Sequence, residues 1–112
     1  MENKTIDVLG TLYTIKYRTP EQDEFLKDCD GYIDKTSKEI VVADFTNKSE
    51  LKSPEVQIKK NLRHEIIHAF FYESGLWENW EHKKYGHEET TVDYFAIQWC
   101  KINRAFLEAG AI

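Results

Sequence analysis

Two regimes of hydrophobic spacing divide the chain. In the first half, apolar residues recur at every second position. Tyr13, Ile15 and Tyr17 alternate with Leu12, Thr14 and Lys16, and this period of two predicts a strand over residues 11–17 with one apolar face. Residues 5–9 are similarly rich in β-branched and apolar side chains, and Gly10 stands between the two runs as a turn. Residues 31–34 and 39–44 flank the polar stretch 35–38 and predict a second hairpin. Its second arm carries the strongly β-prone run Ile40, Val41, Val42, Ala43. The intervening segment 19–30 is polar, with a short helical turn expected over 21–27.

From residue 53 onward the period lengthens. Ser53-Pro54-Glu55 is a helix start signal: a capping serine, a proline at the first helical position and an acid in the first turn. Ile58, Leu62, Ile66, Ala69 and Phe70 then follow at helical spacing, and Gly75 ends the run. Residues 76–85 read as a loop containing Trp77 and Trp80. A second helix is expected from about 87 to 109, with Val92, Phe95, Ala96, Trp99, Phe106 and Leu107 as its buried stripe and Gly110 closing it. The pattern is α+β: a small antiparallel sheet followed by two main helices. No repeat, low-complexity tract or linker divides residues 1–112, so a single domain is expected.

Composition narrows the function classes. The 112 residues are 41% hydrophobic and 31% charged, with 13% aromatics, the profile of a folded globular chain rather than a disordered one. A net charge of -5 argues against a general nucleic-acid binder, which would carry a basic face. Cys29 and Cys100 are distant in sequence and form no CxxC pair, so both read as reduced packing residues, buried or half-buried. The N-terminal residues carry no apolar run of the signal-peptide kind, and no stretch approaches a membrane span. A cytoplasmic protein is the expectation.

The chemistry resides in residues 64–68, His-Glu-Ile-Ile-His. Histidines at i and i+4 project from one helix face, a turn apart, and both imidazoles can reach one tetrahedral zinc at about 2.0–2.1 Å. Glu65, rotated by about 100°, flanks the metal and can take a proton from an activated water and pass it to a leaving amine. Roughly 0.02 such matches are expected by chance in a chain of this composition. A solvated helix face that happens to show two histidines is the bland alternative.

A catalytic zinc requires a third protein ligand. The HExxHxxGxxH pattern would need glycine and histidine where Phe71 and Ser74 stand. The strongest candidate is Glu89. It shares a helix face with Asp93, four residues on, and one carboxylate can bind the metal while the other accepts the free ring N–H of a metal-bound histidine. An acid favoured by the helix dipole is the alternative reading of Glu89 and the preferred one for Glu88. His87 is a possible further ligand or oxyanion donor, Tyr85 and Tyr94 are possible oxyanion donors, and His82 reads as a loop residue.

With these motifs stated, the chain resembles the gluzincin metallopeptidases, most closely the small ImmA/IrrE-like and phage-encoded zincin-like proteins. The likeness covers about residues 30–100, and its specific parts are HEIIH on one helix and EETTVDYFA, with its Phe95-Ala96 pair, on the next. The chain departs from the ImmA pattern at Thr91, where a second glutamate is usual, and at Asp93, where asparagine is usual. The resemblance implies a minimal zincin-like fold, a zinc cofactor held by His64, His68 and Glu89, Glu65 as general base, and a peptide or protein substrate. For a phage-encoded member it implies the host cytoplasm. It also places residues 40–44 at the sheet edge over the cleft, where a peptide would add as a strand. Two rivals stand beside this reading: a zinc hydrolase of a non-peptide amide, and a non-catalytic, zinc-stabilised protein-binding module.

Overall fold

The computed structural model describes residues 2–47, 50–75, 89–110 and 112. Four strands, β1 (Lys4–Val8), β2 (Thr11–Arg18), β3 (Gly31–Asp34) and β4 (Glu39–Ala43), precede two twenty-residue helices, α1 (Pro54–Glu73) and α2 (Glu89–Glu108). The architecture is α+β, as the hydrophobic pattern predicts.

Local chemistry accounts for the turns. Between β1 and β2, Leu9 and Gly10 both take positive φ, 52° and 93°, which matches a hairpin turn to the right-handed twist of the strands. Asp7 Oδ1 accepts the Gly10 N–H at 2.7 Å. In the second hairpin the Asp34 carboxylate accepts from the Thr36 and Ser37 amides and the Thr36 hydroxyl, an Asx turn. A 3-10 turn, Glu24–Lys27, is capped by Asp23. Asp23 also accepts the Tyr32 hydroxyl and so ties this turn to β3.

The sheet order is β1-β2-β4-β3. Both hairpins are antiparallel, but β2 and β4 pair in parallel, with Ile15 opposite Ile40 and Tyr17 opposite Val42. The sheet is therefore mixed rather than antiparallel throughout. The order also corrects the placement of residues 40–44. β4 is an interior strand, hydrogen-bonded on both sides, and the edge on that side is β3. The physical reason is composition: Ile40, Val41, Val42 and Ala43 are all at most 4% exposed. A strand apolar on both faces gains most from a central position.

One sheet face packs Val8, Tyr13, Ile15, Ile40 and Val42 against Ile58 and Ala69 of α1. The other gathers Val41 and Ala43 around Leu26 of the 3-10 turn. A polar clamp fixes the end of α1: Glu73 accepts the Tyr13 hydroxyl at 2.6 Å, the Thr11 hydroxyl at 3.0 Å and the Lys38 ammonium at 3.1 Å. These bonds hold the Glu73 carboxyl below its ordinary acidity range, and burial and that carboxylate push the Tyr13 hydroxyl well above its own.

Pro54 opens α1 as expected, but the Ser53 hydroxyl makes no capping bond, and its carbonyl takes the Val56 N–H instead. Gly75, at φ 87°, closes the helix. α2 packs on α1, where Arg63 Nε donates to the Ala96 carbonyl at 2.5 Å. Val92 and Ala96 are fully buried there, whereas Trp99 and Leu107 of the expected stripe are 46% and 58% exposed. Trp99 follows Val92 by seven residues and Ala96 by three, on the same helix face, and borders an apolar groove against Ile66, Phe70 and Phe71 of α1. Cys29 and Cys100 are exposed free thiols rather than packing residues: Cys29 lies in the polar approach to β3, and Cys100 on α2. No described helix is long and apolar enough to cross a membrane.

Candidate metal centre

His64 and His68 stand on successive turns of α1, and Glu89 opens α2 beside them. His64 Nε2 and His68 Nε2 are 2.9 Å apart. The Glu89 carboxylate lies 3.0 Å from the first and 3.1 Å from the second. Glu89 meets His64 through Oε2 and His68 through Oε1, so three side chains from two helices converge within reach of one ion. A tetrahedral zinc with bonds of about 2.0–2.1 Å sets its ligands roughly 3.3 Å apart, so two imidazoles and one carboxylate at this spacing suit such an ion. Among the described residues this is the group of potential ligands that converges in this way.

The surroundings prepare the donors. His64 Nδ1–H donates to Asp93 Oδ1 at 2.5 Å, which turns the lone pair of Nε2 toward His68 and Glu89. Asp93 holds this position because it lies one helical turn after Glu89. His68 is 7% exposed. Burial, and then the neighbouring His64, lower its pKa from 6.5 to about 4, so the ring is neutral near pH 7 and ready to donate.

Glu65 points from α1 toward β3 and is 8% exposed. Burial above all, followed by the charges of Glu89, Asp30 and Asp93, raises its carboxyl from 4.5 to about 8. A bound cation would offset those three negative charges and favour its ionised form. These five side chains, His64, Glu65, His68, Glu89 and Asp93, line one cleft of about 450 Å³. Its walls are α1, the start of α2, and the segment running from Cys29 into β3.

The structure therefore brings together His64, Glu65, His68, Glu89 and Asp93. Tyr85 and His87, with His82, Glu88, Trp77 and Trp80, lie outside the described residues. Tyr94 is 57% exposed and does not line the cleft. Sequence reasoning missed Lys60, Asn61 and Gly31, which line it. For Lys60 and Asn61 a signal existed, since they precede His64 by four and three residues and share its helix face. Asn61 is 5% exposed; its carbonyl accepts from Gln57 at 3.0 Å, and its Nδ2 has no hydrogen-bond acceptor among the described residues. Nothing in the sequence marked Gly31, because its role depends on which strand faces α1. Comparison with protein-family models, curated proteins and solved structures finds no match for the chain.

Proposed function

We propose that the protein is a zinc-dependent peptidase. The observation that carries this reading is the convergence of His64, His68 and the Glu89 carboxylate, with separations of 2.9–3.1 Å, beside a buried carboxyl in an open cleft. When bound, zinc supplies a Lewis acid that makes water nucleophilic near neutral pH. Two neutral imidazoles and one carboxylate leave about one positive charge at the centre, which suits polarisation of a carbonyl. Three protein ligands, counted among the described residues, leave a coordination position for water or substrate, as a catalytic rather than a structural zinc requires.

The chain's own groups would divide the remaining work. Glu65 accepts a proton from the attacking water and returns it to the departing amine. Asp93 keeps His64 in the tautomer that donates through Nε2. β3 supplies a place for a peptide. Ala43 N–H donates to the Asp30 carbonyl at 2.9 Å, so residues 30 and 43 form a hydrogen-bonded pair. The alternation of an antiparallel ladder then turns the main-chain groups of Gly31 and Ile33 outward, along the cleft. An extended substrate laid there would gain strand-like hydrogen bonds.

The test has two arms. Zinc per chain is measured in the wild type and in Glu89→Ala, with one equivalent expected in the first and little in the second. A peptide mixture is then incubated with zinc-loaded wild type and Glu65→Gln, and products are read by mass spectrometry. Cleavage by the wild type alone is the expected result. Equal cleavage by Glu65→Gln would remove the base from the scheme, and a wild type that binds no zinc would remove the scheme itself.

A further inference from the structure

Gly31 occupies the edge strand at the point where Glu65 reaches the sheet. A Cβ built on Gly31 would stand 3.1 Å from Glu65 Cγ, 3.3 Å from its Oε2 and 3.0 Å from the carbonyl oxygen of Val41. All three separations are tighter than ordinary contacts of a methyl group. Gly31 does not take a positive φ, so no backbone strain calls for glycine here. The room it leaves is what matters, and the side chain of Glu65 fills that room.

We propose that Gly31 is a positioning residue for Glu65: its bare backbone is the seat against which the buried carboxyl rests. This inference depends on the peptidase reading for its consequence in turnover, but its steric part stands without it. The neighbours of a methyl group at 31 differ in how far they can yield. Val41 belongs to the interior strand, paired on both sides, and its carbonyl cannot retreat. The flexible Glu65 side chain must therefore take up a displacement of a few tenths of an ångström. His64 and His68 are not among the nearest neighbours of that Cβ and would keep their places. A misplacement of 1 Å at a reacting group costs up to about a hundredfold in rate, so a smaller displacement of the base should cost on the order of tenfold in kcat.

The experiment is a double-mutant cycle between Gly31→Ala and Glu65→Ala, followed by denaturant unfolding of the metal-free proteins, with turnover measured on the zinc-loaded wild type and Gly31→Ala. In the Glu65 background, Gly31→Ala should lower the unfolding midpoint; in the Glu65→Ala background the same change should cost clearly less. Zinc content of Gly31→Ala should equal that of the wild type, with kcat down about tenfold and KM within twofold. Equal midpoint shifts in both backgrounds, or an unchanged kcat, would overturn the proposal. Should Gly31→Ala fail to fold, the double variant is expected to recover folding, and its failure would also overturn the seat. Steric coupling in a protein that cleaves no peptide would leave the seat standing and sink the peptidase reading instead.

Discussion

Replacing Glu65 by glutamine removes a carboxyl group that the metal-free fold holds in its neutral form. The folded protein keeps this proton up to a pH of about 8, whereas an unfolded chain releases it near 4.5. Between those values the native state binds more protons than the unfolded state, so Glu65 makes stability fall as pH rises through this window. This is opposite in sign to a carboxylate held by salt bridges. Each tenfold gap in acidity is worth about 1.4 kcal/mol, which bounds the loss at roughly 5 kcal/mol above pH 8 and about 3 kcal/mol at pH 7. Glutamine is neutral in both states and lacks the slope. His68, with its pKa lowered to about 4, costs stability as pH falls from 6.5 toward 4, but it does so in both proteins and cancels in the difference. Urea unfolding of the chelator-treated proteins from pH 4.5 to 9 measures the effect. The curves should meet at the acid end, and Glu65→Gln should gain steadily on the wild type toward pH 8. A saturating zinc concentration should shrink that gain, because a nearby cation favours the ionised carboxylate. A stability difference that stays level with pH, or that runs the other way, would refute the account of a desolvated carboxyl pressed by Glu89, Asp30 and Asp93.

Other changes probe the centre and its frame separately. Asp93→Asn leaves all three donor atoms in place but weakens the bond that orients His64, and should weaken zinc binding by about 10–100-fold in a competition titration. Tyr13→Phe removes the 2.6 Å bond to Glu73 at a fully buried ring; a loss of about 1–2 kcal/mol in chemical denaturation is expected, with zinc stoichiometry unchanged. Ile40→Ala opens a hole beneath α1 in the interior strand and should cost about 2–5 kcal/mol by the same measurement.

Much of this protein is local in origin and can be read from residue order. The alternation at Tyr13, Ile15 and Tyr17, the Pro54 start and the Gly75 stop each report a backbone regime set by neighbours a few residues away. The same holds for the candidate centre: four-residue spacing puts His64 over His68 and Glu89 over Asp93 once each segment is helical. What spacing cannot express is which elements meet. That β4 slips between β2 and β3, and pairs in parallel with the former, depends on burying both faces of one apolar strand. That decision in turn makes β3 the edge and sets Gly31 beneath Glu65. Trp99 shares a helix face with Val92 and Ala96, yet it borders a groove against α1 and stays 46% exposed, which spacing alone does not foresee. The acidity of Glu65 is likewise tertiary: glutamate is an ordinary acid until the sheet removes its water and two carboxylates from α2 and one from the segment before β3 surround it.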